Sequence, residues 1–371
     1  MSPNIVVVGA GLVGSALSRR LAEAGLQPVC FGPSSGPPYS SHDDSGRITR
    51  ILDASPTWAM LAARAIADYS DIEARSAIQF HHPVGVLWSA RSPGPLVELD
   101  SLSSTLGVER GTGLGGWEGI AAVGGDETLL ERGPAGYISP RDMLRAHRVL
   151  AERGGAVFDD RVVQAVESIG GRWAVRLRDG ESVTADRIVV AAGAGSRELV
   201  DVGLEVTGEV VIDAPLPAGI GAALAGLPCI GRLTSDSVVE GYLTPPIRAA
   251  DGWSLKFGAE LPAATRLGNG VDVAEWMGGD AHAERLPAMV AALRGLFPGL
   301  GFGHARSRPC IYARTRTGFP IVDELEPGLF VVTGGNGRMA KSADAVAALA
   351  SMLVIDDGWG DSEFDHSHFA V

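Results

Sequence analysis

Four sets of residues in this 371-residue chain have the types and spacing to do chemistry. Gly9-Ala10-Gly11-Leu12-Val13-Gly14 has the glycine spacing of a phosphate cradle. The first glycine permits a tight turn, the second lets backbone approach a pyrophosphate, and the third lets a helix pack closely on a strand. Arg47 and Arg50 lie three apart and share a face on a helix or tight turn; a solvated basic pair is the plain alternative. Lys256 stands between Leu255 and Phe257. That alternation suits a strand with one wet face and leaves open which face is wet. Cys310 lies two residues before Tyr312. Taken alone, the cysteine is a small buried hydrophobe, and the tyrosine a core residue with its hydroxyl satisfied.

The cradle needs particular elements around it, and they are present. Ile5 to Val8 is a β-branched run of the kind buried on both faces of a parallel sheet. Leu17, Leu21 and Ala24 then form one face of a helix, with Arg19, Arg20 and Glu23 on the other, and Gly25 ends it. A second strand runs from Pro28 to Phe31. Strand, glycine turn, helix and strand together place free N–H groups of a helix amino terminus at bound phosphates, so dinucleotide binding is expected. One part is missing. The acidic residue that ordinarily ends the second strand and bonds the adenosine ribose is replaced by Gly32. Asp43 and Asp44 are close in sequence but off that strand end.

Composition narrows the classes. The chain has 50 glycines with no Gly-X-Y period, so collagen is excluded and the excess belongs to turns and ligand loops. A net charge of −13 disfavours nucleic acid and anionic membrane surfaces as partners. Cys30, Cys229 and Cys310 are few, odd in number and far apart, which suits a reducing, cytoplasmic setting without disulfides or a metal site. No apolar run is long enough to span a membrane, and the amino-terminal run lacks the basic region and cleavage-like site of a targeting segment. Gly219 to Gly231 reads as a buried loop or short helix. His81-His82 reads as a strand cap, Arg314 and Arg316 as solvent-facing, and Asp365-His366-Ser367-His368 as a frayed polar tail.

The segment Ser40-Ser41-His42-Asp43-Asp44-Ser45-Gly46-Arg47-Ile48-Thr49-Arg50 resembles the Ser-His-rich loop ending in Arg-x-x-Arg of the monomeric sarcosine oxidase family. That family is a branch of the D-amino-acid-oxidase-type flavoproteins and includes N-methyltryptophan oxidase. The resemblance continues through Gly136 to Pro140, the helix from Arg141 to Arg153, Asp160-Arg161-Val162-Val163, and Arg187 to Ala192 leading into Gly193. It is sharpest in Arg308-Pro309-Cys310-Ile311-Tyr312 and in Gly334-Gly335-Asn336-Gly337-Arg338-Met339-Ala340-Lys341-Ser342. It is weakest over residues 200 to 240.

The resemblance implies an FAD cofactor, attached covalently through Cys310. It implies cofactor contacts from Gly9, Gly11, Leu12, Val13, Gly14, Ser41, His42, Arg47, Val162, Val163, Gly193, Gly335, Asn336, Gly337, Arg338, Met339 and Lys341. Arg50 and Lys341 would grip a substrate carboxylate through charge-assisted hydrogen bonds. Lys256 would promote the reaction with oxygen by stabilising superoxide. Arg47, Tyr242 and Tyr312 would border the flavin and substrate. Three family histidines are absent: Glu260, Arg338 and Asp43 stand in their places. The substrate is therefore not expected to be sarcosine itself, and an inward Glu260 would favour a cationic or polar group on it.

The expected fold is an α/β, Rossmann-like FAD-binding domain of the glutathione-reductase type, interleaved with a β-rich α+β substrate domain. The FAD-binding domain takes residues 1–80, 137–215 and 306–371; the substrate domain takes 81–136 and 216–305. The expected function is FAD-dependent oxidation of a secondary or cyclic amino acid by molecular oxygen, giving an imine and hydrogen peroxide. Two alternatives stand beside it: a dehydrogenase or desaturase of the same fold that does not use oxygen, and a non-catalytic flavin-binding subunit. The expected partners are a small-molecule amine and oxygen, with the chain a monomer or homodimer.

Overall fold

The computed structural model describes residues 4–33, 43–90, 92–111, 127–236, 239–259, 265–356 and 358–371. Ile5–Val8 is buried along its whole length and lies at the centre of a six-stranded sheet. The order is Ile321–Glu326, Leu329–Thr333, Arg187–Val190, Ile5–Val8, Val29–Phe31, Val157–Asp159. All neighbours are parallel except the first pair. One face is covered by the helices Leu12–Glu23, Pro56–Ser76, Pro140–Arg153 and Met339–Asp356, which share one core with Val7, Val189 and Val332. The other face is covered by a three-stranded meander, Val163–Ile169, Arg172–Leu177 and Ser182–Ala185, whose Val175 and Leu177 pack on Val6, Val8 and Val190.

The second layer is a ten-stranded, mostly antiparallel sheet. At its centre are Glu205–Leu216, Gly252–Ala259, Val239–Leu243, Cys229–Leu233 and Val86–Ala90, and Arg306–Arg314 pairs with Glu205–Leu216 along nine registered positions. Two of these strands lie inside the sequence blocks expected to form the FAD-binding domain. Residues 205–215 and 306–314 instead belong to the second sheet, where the twelve-residue strand Glu205–Leu216 satisfies its backbone on both edges against Gly252–Ala259 and Arg306–Arg314. Helices Gly270–Gly278 and Leu286–Leu296 cover the outer face of this sheet through Trp276, Met289 and Leu293.

The tail departs from expectation. Phe369 is fully buried, its carbonyl accepts from the N–H of Val322, and Trp359 stacks on His366 and Phe369. Apolar anchors on either side of the polar residues hold the carboxy terminus down. His81–His82 is itself a short strand beside Gly136–Ile138. Gly219 to Gly231 takes in all but the first residue of a seven-residue helix, Ala218–Leu224, and the start of a strand.

Candidate active site

The turn after the first strand is tight because Gly9 takes φ +114°, a conformation open to glycine, and its N–H donates to the Phe31 carbonyl at 2.7 Å. A Cβ on Gly14 would stand 1.8 Å from the Gly9 carbonyl oxygen, so only glycine lets helix and strand meet there. The missing acidic residue has a backbone reason. Gly32 has φ +138°, and a Cβ there would stand 3.0 Å from the Ala10 nitrogen. The strand end lies close against the cradle, in a backbone conformation that residues with a side chain rarely adopt.

A cavity of about 1790 Å³ begins at this turn. Small-molecule pockets are typically ~300–1,000 Å³, so this one has room for a dinucleotide and a small substrate together. Of the residues expected in the site, Gly9, Gly11, Leu12, Val13, Val162, Val163 and Gly193 line it. Arg47, Arg50, Tyr242, Tyr312, Gly335, Asn336, Gly337, Arg338, Met339 and Lys341 line it as well. Gly14, Cys310 and Lys256 are not in its wall. Ser41, His42 and Glu260 lie outside the described residues. The glycine cradle, the loop at 334–338 and the amino terminus of the Met339–Asp356 helix fit a flavin dinucleotide. The loop is held in place by Asn336, which donates its N–H to the Ala313 carbonyl at 2.9 Å and accepts from the Thr315 N–H at 3.0 Å.

Two aspartates organise the charge. Asp44 is 2% exposed and accepts from Lys256 Nζ at 2.6 Å, Arg47 Nε at 2.9 Å and Arg308 Nη2 at 2.8 Å. Burial would raise its pKa, but the charges of Lys256, Arg47 and Arg308 overcome that and hold it far below the usual carboxylate range. Arg308 also pairs with Asp213, and Arg47 Nη2 donates to Cys310 Sγ at 3.3 Å. Lys256 is 1% exposed, and its Nζ also donates to the Gly46 carbonyl at 2.5 Å. Burial pushes it down to about 8 against the pull of Asp44, so the ion pair is intact at neutral pH.

Asp53 is 1% exposed, and its Oδ2 accepts from Arg50 Nη1 at 3.0 Å, Lys341 Nζ at 3.0 Å and Arg338 Nε at 3.2 Å. It too is held far below the carboxylate range, by Lys341, Arg50 and Arg338 against its own burial. Burial and Arg50 bring Lys341 down to about 8. The Arg50 guanidinium lies 4.6 Å over the Trp88 ring. Nearby, Glu131 accepts from the Ile51 N–H at 2.6 Å and the Leu52 N–H at 3.2 Å, and burial pushes its carboxyl up toward the neutral form.

The aromatic floor comes from one register row. Trp88, Gly231, Tyr242, Gly258, Val211 and Arg308 are successive cross-strand partners. Directly paired residues share a face. A Cβ on Gly231 would stand 2.4 Å from a Trp88 ring carbon, and one on Gly258 2.3 Å from a Tyr242 ring carbon. Each ring therefore lies flat on a glycine. Burial keeps the Tyr242 and Tyr312 phenols protonated by raising both well above the ordinary value.

Several site residues were not singled out from the sequence. Asp44 and Asp53 flank the arginine pair at matched spacing, Asp-x-x-Arg-x-x-Arg-x-x-Asp, and that pattern is a readable signal. Glu209 also lines the cavity; it accepts from Thr207 Oγ1 at 3.0 Å and from Arg314 Nη2 at 3.4 Å. Arg314, expected to face solvent, lies in the cavity wall 5.2 Å over the Tyr312 ring.

A profile of the DAO family, described as FAD dependent oxidoreductase, matches residues 4–353. The chain belongs to that family. It is an FAD-dependent oxidoreductase with the α/β cofactor domain and β-rich second domain of its fold. Among curated proteins it is 26% identical over 361 residues to the tRNA 5-methylaminomethyl-2-thiouridine biosynthesis bifunctional protein MnmC of a Caulobacter species. The match covers 90% of this chain and 51% of that protein, so the chain spans about half the relative's length. Among solved structures it is similar to NikD, an unusual amino acid oxidase essential for nikkomycin biosynthesis, with a TM-score of 0.78, 17% identity and coverage of 100% and 97%. It is also similar to L-proline dehydrogenase from P. horikoshii, with a TM-score of 0.76, 14% identity and coverage of 100% and 96%. Among the described residues, no helix is long and apolar enough to cross a membrane.

Proposed function

We propose that this FAD-dependent oxidoreductase oxidises the CH–NH bond of a secondary or cyclic amino acid and belongs to the monomeric sarcosine oxidase-like branch of its family. The observation that carries this reading is the convergence of Arg50, Arg338 and Lys341 on Asp53 in the wall of the cavity that begins at the glycine cradle. Three cations against one carboxylate leave positive charge in excess, which favours an anionic group on the ligand. A nucleic-acid substrate is disfavoured by the net charge of −13.

FAD, when bound, supplies the acceptor for the hydride that leaves the carbon next to nitrogen. The residues do the rest. Arg50 and Lys341 fix the substrate by its carboxylate, which orients the reacting carbon. The same cations, with Arg47, lower the pKa of a nearby ammonium and favour the neutral amine whose lone pair the reaction needs. Tyr242 and Tyr312 stay protonated, so they border the substrate as hydrogen-bond donors and not as bases. The imine product hydrolyses on release.

The acceptor of the electrons has two readings. Lys256 and Arg47 favour oxygen, with hydrogen peroxide as product. The engagement of Lys256 with Asp44, behind the cavity wall, favours a different acceptor. Peroxide release during turnover in air separates them: stoichiometric peroxide supports the oxidase, and turnover only with an artificial acceptor supports the dehydrogenase. Attachment of the flavin through Cys310 belongs to the same proposal. Acid-precipitated protein should keep its flavin colour, and Cys310→Ser should release it to the supernatant; release from the unsubstituted protein contradicts the attachment.

A further inference from the structure

We propose that Glu131 is the positioning residue of the carboxylate grip: it holds the backbone between Arg50 and Asp53 and so fixes where both side chains meet the cavity. This rests on the amino-acid reading of the site and adds to it a residue that does not touch the ligand. Arg50 and Asp53 line the cavity, and Glu131 does not. Regular structure leaves the segment between Arg50 and Asp53 unsupported. The strand Arg47–Thr49, with its pairing to Gly136–Ile138, ends just before Arg50, and the next helix begins only at Pro56. The N–H groups of Ile51 and Leu52 must therefore be served from elsewhere. Glu131 Oε1 accepts both, at 2.6 and 3.2 Å.

Three further observations tie this contact to Arg50. The Leu52 carbonyl accepts from Arg50 Nη1, so the residue that Glu131 holds also receives the guanidinium. Glu131 pairs with Val86 as Leu129 pairs with Trp88, and residues two apart on a strand share a face. One sheet face thus meets Arg50 twice: the Trp88 ring lies 4.6 Å from its guanidinium, and Glu131 takes the N–H groups that follow it. Last, packing does not account for the carboxylate. Glu131 is 1% exposed, and among the described residues its Oε2 is buried without a hydrogen-bond partner. Such an oxygen costs stability, so the side chain does not serve as core.

Position and field have opposite signs here. Glu131 interacts electrostatically with Arg50 and Lys341, so its negative charge opposes an incoming anion, and removing that charge alone would tighten binding. The test uses flavin-loaded protein and propanoate, an inert carboxylate whose dissociation constant is read from the shift it causes in flavin absorbance. Glu131→Gln keeps the reach of the acceptor oxygen and loses the charge. Glu131→Asp keeps the charge and falls one methylene short of the two N–H groups. Glu131→Asp should weaken propanoate by about tenfold or more, the equivalent of one charge-assisted hydrogen bond. Glu131→Gln should keep most of the affinity. In an Arg50→Ala background, Glu131→Asp should cost little further, because the residue through which it acts is gone. Unchanged affinity in Glu131→Asp, with only unfolding stability lowered, makes Glu131 a structural residue and overturns the proposal. So does the reverse order of the two variants, or an equal loss with and without Arg50; in these cases the grip itself stands. If propanoate binds the unsubstituted protein and Arg50→Ala alike, the amino-acid reading fails and the positioning role with it.

Discussion

Asp44 and Asp53 are nine residues apart and nearly matched in chemistry, yet they sit differently in the molecule. Each is buried, each holds an arginine three residues away, and each captures a lysine and a second arginine from the carboxy-terminal half of the chain or the second sheet. Around Asp44, Lys256 is sealed behind the wall and only Arg47 reaches the cavity. Around Asp53, all three cations and the aspartate itself line it. The same cluster therefore does two jobs. One ties the second sheet to the loop before Arg47; the other presents charge to the cavity. Access, not composition, decides which.

The largest predicted effect breaks the sealed cluster. Asp44→Ala leaves Lys256, Arg47 and Arg308 facing one another without their shared carboxylate. Removing one partner of a buried ion pair costs about 3–5 kcal/mol, so chemical denaturation should show a loss in that range. Asp53→Ala should cost less, and 0.1 M acetate should restore part of the loss, because an anion can enter from the cavity. Equal losses without rescue would show that both clusters are closed.

Next in size is the ligand grip. Arg50→Ala should lower kcat/KM for a carboxylate-bearing amine by about thirtyfold or more, in keeping with ~2–5 kcal/mol for truncating a hydrogen-bonded charge partner. Arg308→Ala, which removes contacts to Asp44 and Asp213 but none in the cavity wall, should lower unfolding stability more than it raises KM.

A smaller effect is pH dependence. Lys341 is brought down from 10.5 to about 8, so it carries its charge below pH 8 and loses it above. Carboxylate affinity should be full at pH 7 and weaken as pH rises through about 8, and Lys341→Arg should move that loss to higher pH. Affinity flat to pH 10 would remove Lys341 from the grip.

Much of the cofactor domain was legible because its signals are local. The strand, the glycine turn and the helix lie within residues 5–23, and each constrains the next through backbone sterics alone. The arginine pair was legible as a pair. Its aspartates are legible only as a spacing pattern, since their meaning depends on Lys256 and Lys341, 212 and 288 residues away from them. The two strands that complete the second sheet were misassigned for a similar reason: a strand's own sequence shows that it pairs, not with which sheet. The absence of an acidic residue at Gly32 was visible, but its setting, a positive φ close to the Ala10 nitrogen, needed the fold. The buried tail shows that scattered aromatics such as Trp359, Phe364 and Phe369 outweigh the polar residues between them.

The most direct test of the account mixes flavin-loaded protein, without oxygen, with secondary and cyclic amino acids and with the same amines lacking the carboxylate. Loss of flavin absorbance reports hydride transfer whatever the final acceptor. The account predicts bleaching by the carboxylate-bearing amines, little by their decarboxylated counterparts, and loss of that preference in Arg50→Ala. Equal bleaching by both sets, or bleaching by neither, would contradict it.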